Sequence, residues 1–308
     1  MSSSSIHLQL GVNTGFALNR FPEHEEWARV IGEVLGLRSV QFTAEMLNPY
    51  LPDDVIKRHI KEINENLERY HVSVHSTFTG AYTRVNHLAH PDSAVRKYWV
   101  EWFKKYADIT VALGADAMGS HFGILSSRDV TDSSLRKERL KQNIECWKEI
   151  AVYAKDAGVE YLMWEPMSVP REYGETLESA TSLQKLLDDA DFAIPMKMCL
   201  DVDHGDVSST NSDDTNPYSW LERFGAISPC VHLKQSLQDK NGFRPFTQEY
   251  NKIGKVRGDA VLDSLAKSGA KNVALMLELS FREREPYESN VLSDLKASVD
   301  YWRKWVKE

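Results

Sequence analysis

A chain of 308 residues with 42% hydrophobic and 10% aromatic content can bury one large core, and it has no apolar run of the roughly 20 residues that a membrane span requires. Its formal net charge of −8 argues against a polyphosphate partner, which needs a basic face, so the expected partner is a small molecule and neither nucleic acid nor membrane. The opening MSSSSIHLQL lacks the basic start and apolar stretch of a secretory leader, so the chain is expected to be cytoplasmic, with residues 1–5 a flexible N-terminus.

Along the chain, short apolar runs alternate with longer stretches of helical period. The strands predicted are 7–13 (HLQLGVN), 38–44 (RSVQFTA), 71–78 (HVSVHSTF), 115–121 (ADAMGSH), 159–165 (VEYLMWE), 196–202 (MKMCLDV), 228–234 (SPCVHLK) and 272–279 (NVALMLEL). Helices are expected after them in turn, over about 23–35, 53–69, 92–113, 132–157, 177–190, 217–223, 256–268 and 286–306. Gly36, Gly114, Gly158 and Gly269 each fall between a helical run and a strand, where a left-handed cap favours glycine. Asp92, Thr131 and Pro52 with Asp53 read as helix starts. Eight strand-helix units without a break in composition close most simply into a parallel eight-stranded (β/α)8 TIM barrel, one α/β domain over 1–308; an open doubly wound sheet is the alternative that periodicity leaves. The connections 203–216 and 235–255 are long for this architecture and follow strands, which places both at the barrel mouth as binding loops or lids.

Four side chains near the ends of the last four predicted strands carry the chemistry. Glu165 ends an apolar run and precedes Pro166, Glu278 repeats that situation after Ala274–Leu277, Asp201 follows Met198, Cys199 and Leu200, and His232 sits between Val231 and Leu233. Each alone has an ordinary reading, as a rim ion pair or a satisfied core histidine. Together, in a barrel, they converge on one mouth as three carboxylates and an imidazole, a set without thiolate that suits one divalent metal ion, Mn2+, Mg2+, Co2+ or Zn2+. Such an ion holds a sugar carbonyl and a neighbouring hydroxyl and stabilises the enediolate left when the adjacent proton departs. Glu165 and Glu278, on opposite sides of the mouth, are then placed to remove that proton and to return one to the other face, which is epimerisation. His75 and His121, at earlier strand ends, are candidates to line the pocket. Cys146, Cys199 and Cys230 lack metal-site spacing and are expected to be inert, the last two in buried strands. Without a GxxxxGK[ST] loop or a GxGxxG fingerprint, a nucleotide cofactor is not expected.

The EP pair at Glu165 and Pro166, the LDxxH run at Leu200, Asp201 and His204, the strand-end His232 and the late Glu278 resemble, in the same order, the site of the xylose-isomerase-like barrels. That superfamily comprises metal-dependent keto-sugar 3-epimerases, sugar isomerases and the type IV apurinic endonucleases, and the resemblance covers essentially the whole chain. It implies that Glu165, Asp201, His232 and Glu278 ligate the metal and that His204 contacts substrate. The endonucleases need a further Asp-x-His pair after the strand-end histidine, and QSLQDKNGFRPFTQEYNK has no histidine. Within the sugar branch, IHLQLGVN, TRVNHLAHPD, GSHFGIL, EPMSVPRE, CLDVDHG and SPCVHLKQ are similar to the erythrulose phosphate 3-epimerases of erythritol catabolism. The resemblance implies a 3-epimerase of a short ketose or ketose phosphate, with tetrulose phosphate favoured and Lys234 on the right strand end to meet substrate. Arg84, Arg171, Arg282 and Arg284 are further candidates for a phosphate group. An aldose-ketose isomerase, a 3-oxo sugar acid decarboxylase and a non-catalytic sugar-binding barrel are the alternatives on the same pocket. The aromatic last helix, with Tyr301, Trp302 and Trp305, is expected to cap the barrel, with a homo-oligomer possible.

Overall fold

Each of the eight apolar runs read as a strand forms one in the computed structural model, which describes residues 6–80, 86–237 and 242–306. They are β1 (His7–Asn13), β2 (Ser39–Thr43), β3 (Ser73–Phe78), β4 (Ala117–His121), β5 (Tyr161–Glu165), β6 (Met196–Asp201), β7 (Cys230–Leu233) and β8 (Asn272–Leu277). Paired in parallel in sequence order, with β8 returning to β1, they close a barrel. The helices are α1 (His24–Arg29), α2 (Asp53–Arg69), α3 (Ser93–Ala112), α4 (Ser127–Thr131), α5 (Ser133–Ala157), α6 (Leu177–Asp188), α7 (Pro217–Phe224), α8 (Gln248–Ile253), α9 (Gly258–Ser268) and α10 (Tyr287–Trp302). None of the described helices is long and apolar enough to cross a membrane.

Strands β5 to β8 read as nearly continuous apolar runs because both faces are covered. Outward residues such as Val40, Phe42, Leu162, Trp164, Val231 and Leu275 join the helix ring in one large core. Inward residues Phe78, Ala117, Met163, Cys199, Cys230, Ala274 and Met276 form a separate plug inside the barrel. Cys199 and Cys230 are thus buried, as expected, and free of disulfides, though their sulfurs gather with a nitrogen of His232 within 4.8 Å, a proximity that their spacing in the chain does not reveal. Side chains two positions further along a strand point the same way. Above Met163, Cys199, Cys230 and Met276, those positions are Glu165, Asp201, His232 and Glu278.

All four inter-element glycines adopt positive φ, from 66° at Gly36 to 110° at Gly158, where the α5 helix stops in a left-handed cap. Asp92 caps α3 through the Ala94 amide at 2.8 Å. The predicted start at Thr131 is corrected by one residue: Thr131 ends α4, and Asp132 caps α5 by accepting from the Ser134 and Leu135 amides. Of the two long loops, 235–255 carries the short helix α8 that periodicity did not reveal. Its Phe246 stacks on Tyr301 at 5.2 Å and meets Trp302 edge-on, so the end of α10 packs on this loop.

Gly11, on β1, faces the interior, where a Cβ would collide with the Met276 sulfur and the Ser39 carbonyl. Gly11→Val is expected to lower stability by about 1–3 kcal/mol through overpacking, read as a reduced urea midpoint.

Candidate metal centre

One atom from each of Glu165, Asp201, His232 and Glu278 falls in a group whose members all lie within 4.8 Å of one another, and all four residues are buried. His232 is at the centre: its Nδ1 is 2.9 Å from Glu165 Oε1, 3.7 Å from Glu278 Oε2 and 3.9 Å from Asp201 Oδ2. Lys234, two residues on and buried, sets its ammonium 2.7 Å from Glu278 Oε2 and 2.5 Å from Asp201 Oδ2. The second contact is close but misaligned, and Asp201 Oδ2 has no hydrogen-bond donor. A buried carboxylate oxygen without a donor is costly. Three carboxylates and one imidazole at this spacing fit a divalent cation bound by oxygen and nitrogen.

A chain of hydrogen bonds sets which nitrogen of His232 faces that cluster. The Gly15 amide donates to Asn13 Oδ1 at 2.8 Å, which leaves the Asn13 amide group to donate to Gln41 Oε1 at 2.9 Å. Gln41 Oε1 can only accept, and His232 Nε2 lies 2.8 Å from it, so Nε2 carries the hydrogen. The Gln41 amide nitrogen in turn donates to Ser76 Oγ at 3.2 Å. Nδ1 is therefore the nitrogen left to offer a lone pair to a cation.

Charge balance moves the proton affinities. Burial works against the His232 cation, but Glu278 and Glu165 outweigh it and raise its pKa well above the ordinary value. For Lys234 burial is likewise overcome by Asp201 and Glu278, and its pKa rises. Burial would raise the pKa of Asp201, yet His204 and Lys234 hold it well below the usual carboxylate range. The two glutamates diverge: Glu278 is raised, chiefly by burial, whereas at Glu165 the burial effect is overcome by His232 and His204 and the pKa falls.

Of the cluster, Glu165 and Glu278 line a cavity of about 430 Å3. His204 lines it, with Nδ1 2.9 Å from the Pro166 carbonyl and Nε2 3.8 Å from Asp201 Oδ2. His121, paired in register with Glu165, and Lys234 line it as well. His75 does not. The β2–β3 register slips between Val40 and Gln41, so that Val74 and Ser76 take the paired places and His75 becomes the extra residue; its Nδ1 lies 3.1 Å from Ser76 Oγ. Arg171, Arg282 and Arg284 are also outside the cavity lining: Arg171 donates to the Leu125 carbonyl at 2.9 Å, and Arg282 and Arg284 border a different cavity with Arg20. Arg84 lies outside the described residues.

Sequence reasoning missed Gln41, Glu172, Asp203 and Phe243. Gln41 carried a usable signal, a polar residue at an inward position of an apolar strand. Asp203 accepts from the Gly242 amide at 2.6 Å and from the Ser236 hydroxyl, tying the two long loops together. That brings Phe243 over the cavity, its ring 3.7 Å from the Lys234 ammonium. Glu172 lines the cavity from a short turn that no periodicity marks.

The model of the xylose isomerase-like TIM-barrel family matches residues 32–305. D-erythrulose 1-phosphate 3-epimerase of Brucella abortus (strain 2308) is 43% identical over 295 residues, which cover 96% of this chain and 95% of that protein. A solved structure from Rhodospirillum rubrum ATCC 11170, named for xylose isomerase, aligns with TM-score 0.85 at 24% identity over 96% of this chain and 99% of that one. D-psicose 3-epimerase of Clostridium cellulolyticum H10, solved with D-tagatose, aligns with TM-score 0.71 at 14% identity, over 97% of this chain and 100% of the other. At these identities the two structures show a shared fold.

Gln41→Leu removes the acceptor that orients His232. It is expected to weaken Mn2+ binding about 10–100-fold while leaving the circular dichroism spectrum unchanged, as measured by electron paramagnetic resonance of free Mn2+.

Proposed function

Because this chain belongs to the xylose isomerase-like TIM-barrel family, we propose that it is a carbohydrate 3-epimerase acting on a short ketose phosphate, with tetrulose 1-phosphate as the preferred class. The observation that carries the reading is the pair Glu165 and Glu278, held on β5 and just past β8 around one imidazole and opening into one cavity. The 43% identical relative named for D-erythrulose 1-phosphate supports the substrate class.

In this reading the ketose lies across the cavity floor with its C3–H bond between the two glutamates. Glu165, whose proton affinity is depressed, takes the C3 proton on a carboxylate oxygen, and Glu278, whose affinity is raised, returns one to the opposite face. In the reverse direction the roles exchange. A divalent cation held by Glu165, Asp201, His232 and Glu278 would polarise the C2 carbonyl and offset the negative charge that develops when the proton leaves. We propose Mn2+, since three carboxylates and one imidazole lie between the all-oxygen sites of Mg2+ and the nitrogen-rich sites of Zn2+. His204, His121 and Lys234 line the cavity and are assigned to substrate oxygens. Phe243 and Met167 shield the reacting carbon from water. Three cysteines, all unpaired, support a reducing, cytoplasmic setting.

The test is proton NMR in D2O with tetrulose, pentulose and hexulose substrates, with and without phosphate. The expected product has deuterium at C3 and an unmoved C2 carbonyl; with the unphosphorylated substrates, whose C1 hydroxyl is free, a carbonyl shifted to C1 would instead identify an aldose-ketose isomerase. EDTA is expected to abolish the exchange and Mn2+ to restore it. Glu165→Gln and Glu278→Gln are each expected to lower kcat by at least about 100-fold with folding intact, and undiminished turnover in either variant removes that residue from proton transfer.

A further inference from the structure

Between helices α1 and α2, outside the barrel strands, two imidazoles and a carboxylate come together. His24 opens α1, while His59 and Glu62 lie three residues apart on α2 and so share one face of it. His24 Nε2 is 2.8 Å from His59 Nδ1 and 3.9 Å from Glu62 Oε2, and one donor atom from each of the three lies within 4.8 Å of the others. His24 is only 8% exposed, and its Nδ1 has no hydrogen-bond partner, so the polar engagement of this buried ring is directed wholly at His59 and Glu62.

We propose that His24, His59 and Glu62 form a second divalent-ion site, suited to Zn2+, that joins α1 to α2. Two imidazole nitrogens at ordinary Zn–N distances, about 2.0–2.1 Å, stand roughly 2.9–3.4 Å apart for angles between square and tetrahedral. The observed 2.8 Å separation needs only a small opening to admit the ion. Glu62, 48% exposed, closes the third corner by a side-chain rotation on a solvent-facing helix surface, and water completes the shell. Ligation requires neutral imidazoles. Burial, then the neighbouring His59, lowers the His24 pKa and favours that form. The donor set also distinguishes this site from the rim. Two nitrogens and one carboxylate favour Zn2+, whereas the rim offers three carboxylates and one nitrogen.

The experiment is competition between a chromophoric chelator and the metal-free protein for Zn2+, comparing wild type, His59→Ala and Glu62→Gln. Wild type is expected to hold one equivalent more than His59→Ala. Glu62→Gln, a change at an exposed position that leaves the fold intact, is expected to bind that equivalent at least about tenfold more weakly. Glu165→Gln should retain the outer equivalent, so that loss of the rim site and loss of this one are read separately. Equal Zn2+ stoichiometry and affinity in wild type, His59→Ala and Glu62→Gln overturns the proposal and leaves His24 and His59 as a simple hydrogen-bonded pair.

Discussion

Three carboxylates buried at one rim of a barrel need compensating positive charge, and the rest of the site is arranged around that need. Glu165, Asp201 and Glu278 are each at most 8% exposed, and the groups facing them are His232, His204 and the ammonium of Lys234. An unpaired buried carboxylate loses its hydration without recompense, so a cluster of three survives only with cations, hydrogen bonds or a metal among them. Here the compensation is incomplete: Asp201 Oδ2 has an ammonium nearby but no aligned donor. The barrel supplies the rigidity that holds like charges together, because each group extends from a strand hydrogen-bonded on both sides and plugged beneath by Met163, Cys199, Cys230 and Met276.

This division of labour explains what could be read from the chain. The last four strands were legible because covering both faces of a strand favours a nearly continuous apolar run, and a charged residue at the end of such a run is conspicuous. Glu165, Asp201, His232 and Glu278 each continue the inward parity of a plug residue, so period two along a strand predicted their convergence once a closed barrel was granted. His75 was chosen by its placement near a strand end, and there the reading failed. It stands three residues before the end of β3, as the extra residue where the β2–β3 register slips.

Other features depended on contacts between segments far apart in sequence. Nothing around Asp203 marks it as the tie between two loops, since its partners Ser236 and Gly242 lie more than thirty residues away. The arginines proposed for phosphate were chosen only because they follow strands, and loops leaving a barrel can turn outward as readily as inward. Arg171 shows this, its guanidinium spent on a backbone carbonyl. The helix α8 was hidden in a six-residue stretch, Gln248–Ile253, too short to display helical period.

The hydrogen-bond chain from Gly15 through Asn13 and Gln41 to His232 connects the charge problem to the chemistry. An imidazole surrounded by carboxylates would otherwise take whichever tautomer or ring flip best met the local field. By fixing the hydrogen on Nε2 from behind, the chain reserves Nδ1 for the side where the carboxylates meet. Glu278 and Glu165, facing the ring, raise the proton affinity of His232 despite its burial. The same lone pair on Nδ1 is the one a divalent ion would use. The asymmetry between the two glutamates has the same origin. Glu165 lies 2.9 Å from Nδ1 and 3.6 Å from His204 Nδ1, and the two rings overcome burial and lower its proton affinity, whereas Glu278, 3.7 Å from Nδ1 and paired with Lys234, retains the raised affinity that burial imposes. A pair of acids with unequal proton affinities beside one cavity thus follows from where two histidine rings, His232 and His204, are held.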